Sequence, residues 1–352
     1  RSMGRSSGSP GSPSRDEARV TRPDSGELLT RARALEEAGD HAGVVALLEG
    51  VTRSVLVGEP ELGYRLAYAW RRTGRAREAL ELVLALDVPV RRRGDGSLAR
   101  RRLSLEAMVR YDLGEVGAAE GLWERLATEA AEGEDHLLAA AASNNLGVVR
   151  TLQDRTEDAL ASYNRALLAS RRLGDRRGLA QAHQNLAILF REKELRREAG
   201  SHFRQAADHA RASRSEDVLG RVEEERALLL LDEGDEPMAT ATAGRALARL
   251  DAIGDAAGAG EALRVLGIAA ARRRDLPAAR DLLETALERG RKSASALLQA
   301  ETLEALAVLD AAEGRGEEAA ARSKQAAELF DGMGAGPWGR RMRSRTAALT
   351  GL

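Results

Sequence analysis

The sequence contains no cysteine, which removes disulfides, thiolate metal sites and cysteine nucleophiles from consideration together. Aromatic residues are scarce, with three Trp, four Tyr and three Phe among 352 residues. No run of Val, Ile, Thr and Tyr is present to build a sheet. Lysine is nearly missing as well: Lys193, Lys292 and Lys324 are the lysines among 54 basic residues. That skew toward arginine fits a GC-rich bacterial genome and says nothing about function. The formal net charge is −1, too small to draw nucleic acid or an anionic membrane to the molecule as a whole. No apolar stretch approaches the roughly 20 residues needed to cross a bilayer. The reading is of a cytoplasmic protein without a membrane segment.

What is abundant is Ala, Leu, Arg, Glu and Gly, a composition that favours helices packed through small side chains. Residues 1–25 are rich in Ser, Gly and Pro with no hydrophobic centre, so a flexible tail is expected there rather than a secretory signal. Beyond it the chain repeats itself. Ala79, Ala119, Ala159, Ala199, Ala239, Ala279 and Ala319 follow one another at intervals of 40 residues without an insertion. A second column of small residues keeps the same phase: Ala67, Ala107, Gly147, Ala187, Ala227, Gly267 and Ala307. Between these columns a turn is expected at Gly74, Gly114, Asp154, Glu194, Gly234, Arg274 and Gly314, where glycine suits the end of a helix. Leu86, Leu126, Ala166, Ala206, Ala246, Ala286 and Ala326 mark the end of each unit. Pro237 and Pro277 fall where a second helix would begin, a place where the missing N–H costs nothing.

These columns resemble the tetratricopeptide repeat, a helix–turn–helix unit with Leu-Gly/Ala, a Gly turn, an Ala, an aromatic and Ala-Leu in fixed slots. LGVVRTLQDRTEDALASYNRAL supplies Leu146, Gly147, Ala159, Tyr163 and Ala166-Leu167. LAILFREKELRREAGSHFRQAA supplies Leu186, Ala187, Phe190, Ala199, Phe203 and Ala206, and Trp70 and Trp123 fill aromatic slots in earlier units. A shorter unit with Gly39 at its turn and Val44 in the Ala slot precedes them. Because a lone hairpin cannot bury its apolar face, neighbours must stack. The expected fold is all-α: a right-handed superhelical solenoid of about eight antiparallel hairpins over 26–335. Residues 336–352, with Trp338, Met342 and Leu349, are expected to form a capping helix with an apolar and a basic side.

Signs of chemistry are few. His202 and His209 fall two turns apart on one expected helix, but no third ligand at suitable spacing accompanies them or His41, His136 and His183. Neither a nucleophile elbow nor a zinc-protease motif occurs. The glycines between Gly254 and Gly260 follow no strand and read as an interhelical loop. Carboxylates are spread over helical faces among arginines, as on solvated surfaces. No catalytic centre, metal or cofactor is expected. Two basic clusters, Arg91–Arg102 and Gly339–Arg345, lack interleaved aromatics for base stacking, so they read as solvated loops or docking sites for acidic partners rather than nucleic-acid sites.

The resemblance implies that the first helix of each unit lines a concave groove that holds an extended peptide or a helix. The implied groove positions include an apolar column, Tyr68, Met108, Val148, Ile188, Leu228, Ile268 and Val308. Beside it run a polar column, Tyr64, Ser104, Asn144, Gln184, Glu224, Arg264 and Glu304, and a third, Arg71, Tyr111, Thr151, Arg191, Leu231, Ala271 and Ala311. Asn144-Asn145 and Gln184-Asn185 resemble the Asn-rich first helices of kinesin light chains and of bacterial peptide-sensing regulators. In those families such amides bind a peptide main chain, since an amide both donates and accepts. The expected contact surface therefore comprises Tyr64, Tyr68, Arg71, Met108, Asn144, Asn145, Val148, Gln184, Asn185, Ile188, Arg191, Glu224, Leu228 and Arg264. The expected function is a non-catalytic protein- or peptide-binding scaffold. The alternatives are the sensor portion of a larger bacterial regulator, or a structural homo-oligomer.

Overall fold

The computed structural model describes residues 24–350, and of these the side chains of all but 342 and 345–350. The expected tail therefore lies outside the described residues except for Asp24 and Ser25, as do the side chains of Met342, Arg345 and Leu349. Every described element is a helix. The first hairpin pairs α1 (Ser25–Glu37) with α2 (His41–Leu48). In the second unit α3 (Arg53–Gly58) leads into α4 (Pro60–Arg72), which pairs with α5 (Ala76–Ala85) and its continuation α6 (Asp87–Arg93). Six regular hairpins follow: α7 (Gly96–Asp112) with α8 (Val116–Glu132), α9 (His136–Leu152) with α10 (Thr156–Leu173), α11 (Arg176–Glu192) with α12 (Arg196–Ala212), α13 (Glu216–Glu233) with α14 (Glu236–Ala252), α15 (Ala256–Arg272) with α16 (Leu276–Lys292), and α17 (Ala296–Ala312) with α18 (Gly316–Gly332). A last helix, α19 (Gly336–Thr350), packs on α15, α17 and α18. The result is the all-α solenoid of stacked hairpins.

The periodic small residues are what lets the helices approach. Ala79, Ala119, Ala159, Ala199, Ala239 and Ala279 are all fully buried, as are Ala67, Ala107, Ala187 and Ala227. At Gly147 even a methyl group has no room, for a Cβ there would lie 2.3 Å from the Tyr163 ring. That ring cannot swing away, because its hydroxyl is bonded to Thr151 Oγ1 at 3.0 Å.

The turns carry a stricter period than the sequence suggested. Gly74, Gly114, Gly234 and Gly314 have φ between 77° and 86°, and Asp154, Glu194 and Arg274 take the same left-handed conformation at 60–64°. Halfway between them, Gly94, Glu134, Gly174, Arg214, Gly254, Ala294 and Gly334 are left-handed as well. The chain thus reverses every twenty residues, alternately within and between hairpins. After five of these seven turns a capping residue opens the next first helix: Asp95, Asp135, Asp175, Asp255 and Ser295 each accept a hydrogen bond from the backbone N–H three residues on, satisfying one of the orphan donors of a helix start. Gly254 to Gly260 is therefore no loop. It is a turn, a cap and the opening of α15, with Gly258 and Gly260 helical.

Prolines break the pattern in the second unit. Pro89 cannot donate to the Ala85 carbonyl, and the second helix is interrupted there into α5 and α6. Pro60 does the same to the first helix by forcing Glu59 out of the helical region, to φ −113° and ψ 77°. Pro237 and Pro277 occupy the first turns of α14 and α16, as expected.

The basic clusters are not solvated loops. Arg91–Arg93 are helical and Arg100–Arg102 belong to α7. Arg91 and Arg102 pair with Asp87, Arg93 with Glu59, and Arg101 with Glu61. In α19, Arg341 bonds Asp154 and Arg343 bonds Glu304. Arg101–Glu61 and Arg343–Glu304 join positions about one repeat apart, which stacked helices bring side by side.

The superhelix is wound tightly enough to touch itself. A Cβ on Gly74 would lie 3.0 Å from Ser293 Cα, and one on Gly114 3.0 Å from Ala296 Cβ and 3.1 Å from Met333 Cγ. Residues of α7–α9 and α13–α19 share one hydrophobic cluster. The concave side is thereby closed into a channel.

Three histidines meet between α11 and α12. His183 Nδ1 lies 2.9 Å from His202 Nδ1, and the His183 ring stacks on His209 with centroids 5.8 Å apart. Phe190 covers His202 at 5.2 Å. Burial first, then the neighbouring imidazoles, pushes His183 down to about 4 from 6.5, so the folded state holds it neutral. Among the described residues no group of three or more His, Asp or Glu could hold a metal ion.

Three outcomes are expected. Gly147→Ala forces Tyr163 against its neighbours and lowers stability by about 1–3 kcal/mol in chemical denaturation, despite alanine's better helix propensity. Glu194→Gly removes left-handed strain at an exposed turn and raises stability by about 1 kcal/mol. A group whose folded pKa is depressed below a basic residue's unfolded value contributes stability that is full above pH 6.5 and lost as pH falls toward 4. Denaturation at pH 7 and pH 4.5 is therefore expected to show a loss of about 2–3 kcal/mol traceable to His183, absent in His183→Gln.

Candidate functional site

The channel has a volume of about 420 Å³, within the range of ligand-sized cavities. It is walled by the first helices α4, α7, α9, α11, α13, α15 and α17 together with α19, and Trp123 and Tyr163 reach it from the second helices. First helices supply the wall because the second helix of each hairpin packs behind, on the convex side.

Of the sequence-derived contact residues, Tyr68, Arg71, Met108, Asn144, Asn145, Val148, Gln184, Asn185, Ile188, Glu224 and Arg264 line this channel. The other three lie elsewhere. Tyr64 stacks on Tyr68 at 6.4 Å beneath the Arg101 guanidinium. Arg191 is buried behind the wall, paired with Glu192 at 3.2 Å and Glu225 at 2.9 Å. Leu228 is 2% exposed and part of the core, as is Ile268. Within the channel the apolar strip runs from Tyr68 to Ile188; the column is buried at Leu228 and Ile268, and Val308 is half-buried outside the channel.

Amides run beside the strip. Asn185 Nδ2 donates to Asn144 Oδ1 at 3.1 Å, linking α11 to α9 across one repeat. Gln181, Gln184 and Asn145 line the same stretch.

The sequence reading missed most of the charge inside. Arg177 bonds Asp217 bidentately at 2.8 and 2.5 Å, Arg71 bonds Asp112 at 2.6 and 3.2 Å, and Arg221 bonds Asp255 at 2.8 Å. Arg72 lies 3.8 Å from both Asp217 and Asp255, reaching across the channel from the second unit to the sixth and seventh. Burial alone would raise Asp255, yet the charges of Arg221 and Arg72 hold it down to about 2. The signal for Arg177 and Asp217 was in the sequence as opposite charges one period apart, in the same slot of successive units. No such signal announced Arg72, whose partners are 145 and 183 residues away.

On the other side the wall is acidic. Glu224, Glu225, Glu261 and Glu301 line it around Arg264. Arg264 holds Glu261 and Glu301, each at 2.9 Å, and Trp338 of α19 donates to Glu301 at 2.9 Å. Burial drives Glu301 up to about 6 and raises Glu224 and Glu225 as well, with neighbouring carboxylates adding to the effect at Glu224. The channel is thus an apolar and amide-lined passage between a mixed ionic network and a carboxyl-rich wall. Among the described residues no helix is long and apolar enough to cross a membrane.

A tetratricopeptide-repeat family model matches residues 138–212. No match was found among curated proteins. The fold is similar to that of a Rap protein crystallised in complex with competence and sporulation factor, at 13% identity and a TM-score of 0.60, over 93% of this chain and 98% of that one. It is also similar to a chain of the APC/C hetero-tetramer Cut9-Hcn1, at 13% identity and a TM-score of 0.59, over 92% of this chain and 56% of that one. Tetratricopeptide repeats are thus recognised in sequence over α9–α12, and helical hairpins of the same length continue through the regular units on either side.

Proposed function

We propose that the protein is a non-catalytic binding scaffold whose channel receives an extended peptide or protein segment. The observation that carries this reading is the pairing of an open apolar strip, Tyr68 to Ile188, with the amides of Asn144, Asn145, Gln184 and Asn185 along α9 and α11. An extended main chain presents alternating N–H and C=O groups, and amide side chains can answer both. The half-buried apolar residues would take up alternate side chains, giving selectivity beside generic main-chain affinity. That a chain of the same fold was crystallised with a bound factor, over nearly its whole length, supports this use of the architecture.

The double variant Asn144→Ala, Gln184→Ala tests it. Peptides selected on the wild-type chain from a random library are expected to bind the variant at least tenfold more weakly by fluorescence anisotropy, about 1.4 kcal/mol or more. Helicity and melting temperature are expected to stay close to wild type. A variant that binds as well as the wild type, or that unfolds, would show these amides to be structural.

A further inference from the structure

We infer that the carboxyl-rich wall formed by α13, α15 and α17 is a receptor for a cationic side chain, and that the bound peptide carries Lys or Arg where it meets Glu224. The inference deepens the peptide-binding reading and rests on it.

Pairing on this wall leaves one carboxyl without an ion-pair partner among the described residues. Arg191 of α11 holds Glu192 and Glu225, and Arg264 of α15 holds Glu261 and Glu301. Among the described residues Glu224 forms no ion pair, although it lies in the fields of both guanidiniums. It is 5% exposed, lines the channel, and its Oε1 is buried without a hydrogen-bond partner. A buried polar atom left unsatisfied costs about 1–3 kcal/mol, and such groups are rare enough that each calls for a cause. The channel that Glu224 lines carries an acidic excess from Glu225, Glu261 and Glu301, so the complement of this carboxyl is a positive hydrogen-bond donor. A peptide is the occupant that fits, because the same channel offers amides to its main chain and apolar residues to its neighbouring side chains.

The chemistry of binding follows from the wall. Burial raises Glu224 well above the usual carboxylate range, with Glu225 and Glu261 adding to it and Arg264 and Arg191 opposing it. Burial in the empty channel therefore favours the protonated form of Glu224. Arrival of a cation favours the carboxylate, so the proton leaves to solvent as the ion pair forms. Affinity for a basic peptide is expected to rise with pH until Glu224 is ionised in the empty channel, by up to tenfold per pH unit.

The experiment uses the full chain and an array of random acetylated, amidated octapeptides. Wild type is expected to retain sequences enriched in Lys or Arg at one position. Replacing that Arg by citrulline in the peptide should weaken binding at least tenfold. Glu224→Gln, which matches the shape of the protonated acid, should melt no lower than wild type, lose the preference, and show no further loss with the citrulline peptide. Calorimetry in buffers of different ionisation enthalpy should register proton release for wild type only. If Glu224→Gln does not fold, the citrulline comparison and the proton count on wild type decide alone. Peptides retained without a basic preference would overturn the inference and leave the peptide-binding reading intact. No peptide retained at all would overturn both. A Glu224-dependent rise in melting temperature with spermidine, in place of any peptide, would overturn the peptide as occupant.

Discussion

Close approach of helices through side chains no larger than a methyl group is the constraint on which this molecule depends. A hairpin of two amphipathic helices has apolar surface on both flanks and cannot bury it alone. Stacking resolves this only if neighbouring helices come near enough to exclude water, which Ala79, Ala159 and their equivalents permit by being fully buried at each interface. Where the gap closes further, glycine replaces alanine, and Gly147 lies against the Tyr163 ring. Each close contact fixes the angle between successive hairpins, and the sum of many small rotations gives the superhelix.

Reversal of the chain every twenty residues puts a second demand on the backbone. A left-handed residue ends each helix of the six regular hairpins, whether glycine can supply it or not. Asp154, Glu194, Arg214 and Ala294 accept the strain because the helices on either side are held by packing that outweighs it. The Asp and Ser residues that follow the turns between hairpins then cap the next helix, so that each turn sets both an ending and a beginning.

Contact between successive turns of the superhelix changes the character of its inner face. An open groove would leave its charges in water, where ion pairs contribute little. Here the turns at Gly74 and Gly114 meet the later units and enclose the charges. Within that enclosure Asp255 is held ionised by Arg221 and Arg72, whereas Glu301, one superhelical step away, is driven toward its neutral form by burial. One wall is thereby neutralised by arginine and the other is left rich in carboxyl groups.

The period and the hairpins were legible in the sequence, because equal spacing of small residues translates directly into equal stacking, and the first helices were expected as the inner wall from the resemblance to the tetratricopeptide repeat. The interruptions at Pro60 and Pro89 could have been read from proline's missing donor, and the Arg177–Asp217 pair from opposite charges 40 residues apart. The amides of Asn144, Gln184 and Asn185 were found because they recur in register. By itself, then, the sequence determined the repeating unit and everything that recurs with it, since local packing repeats when residues repeat. Only the tertiary structure decided that the solenoid closes on itself, that Leu228 and Ile268 are core while Tyr68 to Ile188 stay open, and that Arg72 faces Asp217 and Asp255. Those contacts join residues more than a hundred positions apart, and they arise from the accumulated twist of all the units rather than from any one of them.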